Sequence, residues 1–181
     1  MKNITTRQRI DQFICLMGEV LPNGEISNLV DLLGQIGFFE APASTKYHGN
    51  YPGGLYDHSF AVTTCLIDLT RKLGLKWDRM CSPYIVGMFH DLCKCDNYIQ
   101  QEDGTYEYNK NLCLIGHGEK SVIIAQKLYA LTEEELMCIR WHMGAYEGDK
   151  VWNNLREAIR VYPTVLYTHT ADMIASQIIG T

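Results

Sequence analysis

Apolar side chains recur at helical spacing along nearly the whole chain, and this periodicity constrains the fold more than any other feature. Ile10, Phe13, Ile14, Met17 and Val20 mark a helix over residues 6–20, because side chains three and four apart share one face. Pro22-Asn23-Gly24 reads as its stop. Ile26, Leu29, Val30, Leu33 and Ile36 mark a second helix over 25–37, with Gly37 near its end. Residues 38–54, FFEAPASTKYHGNYPGG, carry two prolines and three glycines and read as a loop; a loop of that length in a compact domain is often functional. Helical segments resume over about 55–73. The next has Ser82 as N-cap and Pro83 at the first helical position, and runs to about Asp91 or Lys94. Others cover about 117–130, a stretch from a Thr132–Glu135 capping box to near Gly144, residues 153–161, and Pro163 to about Ile178. One interruption, YIQQEDGTYEY, has two β-rich arms around Asp103-Gly104. The expectation is an all-α fold, a helical bundle with one short β-hairpin.

A length of 181 residues fits one domain, with a helical lead over 1–38 and a functional core over about 50–178. The net charge of −5 argues against a long nucleic acid as partner. A small anionic substrate stays open, since local cations can outweigh net charge. The N-terminal MKNITTRQRIDQF lacks the apolar run of a signal peptide, and no stretch approaches membrane-span length, so a cytoplasmic protein with no membrane partner is expected. The sequence sets no oligomeric state. Seven irregularly spaced cysteines suit a reducing compartment. Cys93-Lys94-Cys95 has no second cysteine pair to complete a tetrahedral site.

The chemistry lies in where the histidines fall. His58 sits early in the third helix, His90-Asp91 at the end of the fourth, His117 at the start of the fifth, His142 at the end of the sixth, and Asp172 along the last. The spacings are 32, 26, 25 and 30 residues, each about one helix plus a connection, so a bundle can bring one residue or pair from each helix to a common centre. Singly, each histidine has an ordinary reading as a core or capping residue. Together with an aspartate inside an apolar helix they do not, because buried charges need a partner or a metal. Imidazole and carboxylate suit divalent manganese, iron, zinc, cobalt or nickel, as one or two ions. An aspartate can bridge two metals through its two oxygens, and two metals about 3.5–4 Å apart can generate a hydroxide and clamp a phosphoryl group.

Gly-Gly-Leu-Tyr-Asp-His58, His90-Asp91-Leu-Cys-Lys94 and His169-Thr-Ala-Asp172 resemble the three signatures of the HD phosphohydrolase superfamily, over residues 50–178. GGLYDHS is similar to the HD domain of certain 3′–5′ exoribonucleases, but no OB-like β domain precedes it. His117 and His142 resemble the extra histidines of binuclear HD phosphodiesterases. The Gly-Tyr-Pro motif of the cyclic-di-GMP subgroup is absent, and Gly148-Asp-Lys-Val stands in its place, which argues against that substrate. The resemblance implies a stand-alone HD domain. Its metals would be held by His58, His90, Asp91, His117, His142 and Asp172, with Asp91 and Lys94 as catalytic residues and Lys94 on a substrate phosphate. Tyr47 and His48, in the loop before the first ligand, are candidates for the substrate pocket. His169 shares a face with Asp172 and is a candidate supporting residue. The implied activity is hydrolysis of a phosphoester of a nucleotide or nucleotide-like small molecule through a metal-activated hydroxide. A binuclear-iron oxygenase of the HD type and a non-catalytic ligand sensor are the competing readings.

Overall fold

The computed structural model describes residues 4–47, 49–113, 116–146 and 151–181. They form an all-α bundle with one short hairpin. The helices are α1 (Thr6–Met17), α2 (Asn23–Gln35), α3 (Gly54–Leu73), α4 (Ser82–Phe89), the single-turn α5 (Lys94–Asn97), α6 (His117–Leu128), α7 (Glu133–Arg140), α8 (Trp152–Val161) and α9 (Thr164–Met173), which continues as a π-helical stretch Ile174–Ile179. The hairpin pairs β1 (Tyr98–Gln100) with β2 (Tyr106–Tyr108), Tyr98 opposite Tyr108.

Helix α3 is the axis of the bundle, packing against α1, α4, α9 and the π-helical stretch. Its sequence explains this. Leu55, Tyr56, Val62 and Leu66 are fully buried, and each such side chain contributes roughly 1.5–3 kcal/mol on burial. Helix α4 crosses it closely because Gly87 lies against Thr63; a Cβ there would stand 2.5 Å from the Thr63 Cα. Phe13 and Met17 of α1 and Leu29 and Leu33 of α2 close one side of the same core, with Phe38, Phe39 and Tyr56 in edge-on or tilted contact. Helix α1 is tied down by a buried ion pair. Arg9 donates from Nε and Nη2 to the two oxygens of Asp57, 2.9 Å each, and Tyr51 adds a 3.0 Å hydrogen bond from the 38–54 loop. Burial and the neighbouring Asp57 charge push the Tyr51 hydroxyl up to about 12, so it remains a donor.

Two expectations need correction. Pro22-Asn23-Gly24 does not separate the first two helices as a unit, for α1 ends at Met17 and α2 begins at Asn23 with Pro22 as its N-cap. A first helical turn tolerates glycine there because its N–H groups have no intrahelical partner to lose. Ser82 is not the cap of α4. The helix starts on Ser82, Cys81 is the cap residue, and the buried Ser82 Oγ makes no hydrogen bond. The Thr132 capping box forms as expected, with Glu135 N donating to Thr132 Oγ1 and Thr132 N to the Glu135 carboxylate. Among the described residues no helix is long and apolar enough to cross a membrane.

Candidate metal centre and substrate pocket

Five separate stretches deliver the six histidines and aspartates to one place. His58 lies in the second turn of α3. Helix α4 stops at Phe89, and His90 and Asp91 fall in the turn that follows. That turn explains how two neighbours serve one centre, since the chain is already leaving the helix where they stand. His117 opens α6, His142 lies two residues past α7, and Asp172 sits at the end of α9 where the chain widens into its π-helical stretch. Such π segments recur at functional sites.

The side chains form two groups, each able to hold a metal ion: His58, His90 and Asp172 in one, Asp91, His117 and His142 in the other. Asp91 faces both. Its Oδ2 lies 3.4 Å from His90 Nε2 and 3.6 Å from His58 Nε2. Its Oδ1 lies 2.6 Å from His117 Nε2 and 3.4 Å from His142 Nε2. Asp172 Oδ1 is 3.1 Å from His58 Nε2. The imidazole rings run as a chain, with centroids 5.2 Å apart for His58 and His90, 5.0 Å for His90 and His142, and 5.2 Å for His142 and His117.

The outer faces of these rings set their tautomers. His90 Nδ1 donates to the Gly87 carbonyl at 2.8 Å, His142 Nδ1 to that of Ile139 at 2.7 Å, and His58 Nδ1 to that of Thr181 at 2.8 Å. A carbonyl only accepts, so in each neutral ring the proton sits on Nδ1 and the Nε2 lone pair points inward. The Nε2 atoms of His58 and His90 then converge at 3.3 Å. The His142 Nε2 is buried without a hydrogen bond. Converging lone pairs and carboxylate oxygens call for a cation among them, so this donor set fits a divalent metal. Burial lowers the pKa of His90, against the pull of Asp91, and keeps its lone pair available. Burial alone would raise the Asp91 carboxyl, but Lys94 and the imidazoles hold it well below the usual carboxylate range. His117 is held least firmly. It is partly exposed, and its Nδ1 meets the Cys93 sulfur at 3.5 Å instead of a carbonyl.

His169 supports the centre from behind: its Nδ1 donates to the backbone carbonyl of His142 at 2.8 Å. Its ring packs on Gly144, where a Cβ would come within 2.5 Å. Lys94 does not continue α4. The turn after Phe89 places it in α5, yet its Nζ reaches back 2.6 Å to Asp91 Oδ2, and burial notwithstanding, that carboxylate raises its pKa and keeps it charged. Cys93 and Cys95 belong to neither metal-competent group. Burial pushes the Cys93 thiol up to about 12 and raises Cys95 also, so neither offers a thiolate near neutral pH.

A cavity of about 860 Å³ opens onto this centre, with Asp91, Lys94, His117 and Asp172 in its wall. Tyr47 and Ser44 line it from the 38–54 loop. His48 lies outside the described residues, as does Gly148. Spacing along the chain does not single out the rest of the polar and aromatic lining: Asn97, Tyr98 and Tyr108 around the hairpin, Tyr146 after α7, and Ser176 and Gln177 in the π-helical stretch. Polar and aromatic residues at such positions follow no spacing rule, so only the folded chain assembles them.

The ligand order, the two-group geometry and the aspartate between the groups answer to one arrangement. It resembles an HD-type centre. Consistently, the chain is 37% identical over 75 residues to a dihydroneopterin 2′,3′-cyclic phosphate phosphodiesterase of Methanocaldococcus jannaschii. That stretch covers 38% of the chain and 29% of the relative, so the match spans under a third of the relative's length. No family model matches the chain, and no solved structure matches it.

Proposed function

We propose that the chain is a metal-dependent phosphohydrolase cleaving a phosphoester of a nucleotide-like small molecule. The observation that carries this reading is the placement of Asp91, one oxygen toward each histidine group, with the Lys94 ammonium beside it in the wall of an open pocket. In this reading His58, His90 and Asp172 would hold one divalent ion and His117 and His142 a second, with Asp91 placed between the two groups to serve both. Metal bound there supplies Lewis acidity and an activated water for attack on phosphorus. The chain's own residues do the rest. The carbonyl-anchored rings of His58, His90 and His142 keep the donors fixed. His169 holds the turn that carries His142. Lys94, a compact point charge, binds a substrate phosphate oxygen and offsets the charge that grows there in the transition state. The phosphodiesterase named above acts on a pterin cyclic phosphate, which supports a cyclic or linear phosphodiester as the bond attacked.

The test is elemental analysis of protein purified without chelators, followed by a phosphoester panel with the metal found and a parallel measurement of dioxygen uptake. Release of phosphomonoester or phosphate without dioxygen uptake is expected. Dioxygen consumption with no phosphoester turnover would replace this reading by the oxygenase one, and neither activity would leave a ligand sensor.

A further inference from the structure

We propose that the tyrosines at the mouth of the pocket form a ring-binding subsite, so that the substrate is a phosphoester carrying a planar heteroaromatic ring. The proposal deepens the phosphohydrolase reading and rests on it for where the phosphate lies. Its observation is a concentration. Among the described residues the exposed aromatic side chains are Tyr47, Tyr108, Tyr146 and Trp152. Three of these four line this single cavity, with exposures of 79% for Tyr47, 67% for Tyr108 and 68% for Tyr146. They arrive from three unrelated segments: the 38–54 loop, β2, and the 3₁₀ turn Gly144–Tyr146. An aromatic side chain left in water gains nothing for the fold, so three converging on one opening point to something that covers them.

Size and stiffness agree. A cavity of about 860 Å³ falls in the upper part of the roughly 300–1,000 Å³ range of small-molecule sites, far more than a phosphate group fills. Tyr108 is braced by its cross-strand partner Tyr98, the rings edge-to-face with centroids 5.2 Å apart, so little side-chain freedom is lost when a ligand stacks on it. Tyr98 follows directly on the one-turn helix that begins with Lys94. The phosphate contact and the aromatic wall thus lie four residues apart on one short stretch of backbone. A flat ring is the ligand that exploits tyrosine faces most fully, since stacking accepts any π surface, whereas an aliphatic or sugar phosphate has no π face to offer.

The test is calorimetric binding of adenosine 5′-monophosphate, uridine 5′-monophosphate and ribose 5-phosphate to the metal-loaded full chain, alongside Tyr108→Ala, Tyr47→Ala, Tyr108→Phe and the control Trp152→Ala. The mutated side chains are exposed, so the variants should fold, which circular dichroism checks. Both nucleotides should bind at least about tenfold more tightly than ribose phosphate. Each alanine change in the rim should remove most of that difference without weakening ribose phosphate, while Tyr108→Phe and Trp152→Ala keep it. Equal binding of the three compounds, no binding of either nucleotide, or rim variants that lose all three ligands alike would overturn the subsite. Because the readout is binding, a protein that prefers the nucleotides but hydrolyses no phosphoester would refute the phosphohydrolase reading and leave the subsite standing.

Discussion

The imidazoles beneath the pocket and the tyrosines at its mouth are held in place by different means. His58, His90 and His142 are wholly buried, and each has its outer nitrogen anchored on a main-chain oxygen. Tyr47, Tyr108 and Tyr146 stand mostly in solvent on loops and a two-stranded hairpin. The floor rests on the packed helices of the core, where shifting one of these groups means repacking α3, α4, α7 or α9. The rim side chains are themselves exposed, although the loop that carries Tyr47 is anchored in the core through Phe38 and Phe39, so it is these side chains that can change without disturbing the core. On the proposed function the difference teaches a division of labour: the floor would determine which reaction is possible, and the rim which molecule reaches it.

Breaking the floor should have the largest effects. Asp91→Ala removes the carboxylate that faces both groups, so metal content and phosphoester turnover should vanish together; full turnover in a folded, metal-free Asp91→Ala protein would separate the two. Next comes the brace behind His58. Asp57→Ala leaves Arg9 charged and buried without its partner, at a cost of about 3–5 kcal/mol, read as a lower denaturation midpoint. A loss under about 1 kcal/mol would mean that the pair contributes no more than a surface ion pair does.

Lys94→Ala lies at the boundary between the two regions. Loss of one charge-assisted phosphate contact should lower kcat/KM by roughly 10- to 150-fold at unchanged metal occupancy, and Lys94→Arg should recover only part. Wild-type turnover in Lys94→Ala would withdraw the phosphate role. The smallest effect concerns pH in metal-stripped protein. The Asp91 and Asp172 carboxyls are both held below their usual range, against burial, by Lys94 and the imidazoles for Asp91 and by His58 and His90 for Asp172. The stability they contribute is therefore present above about pH 4 and lost as the pH falls through their folded-state values. Melting temperatures should drop through that acid window, and less steeply in Asp91→Ala.

The same contrast explains what the sequence disclosed. The helices of the floor were legible because burial forces apolar residues into a 3.6-residue period, and the clustered residues because four histidines and two aspartates, placed singly or as a pair on successive helices, have few other uses. Asp103-Gly104 gave away the hairpin through its turn chemistry. Ser82 misled because a good capping residue before proline does not show whether the helix has already begun. The π-helical stretch after Asp172 leaves no mark in an apolar period. The tyrosine rim was hidden because Tyr98, Tyr108 and Tyr146 are ordinary strand and turn residues until the fold brings them together, and only Tyr47 stood out, by its place in a long loop.

The central claim is that two donor groups share Asp91. It is tested most directly by counting metal ions in protein purified without chelators, for the wild type and for His142→Ala and His58→Ala. The account predicts about two equivalents of a divalent transition metal in the wild type and about one in each single variant, with His117→Ala, the least firmly held ligand, losing the least. One equivalent in the wild type that His142→Ala leaves untouched, or no metal above background, would contradict it.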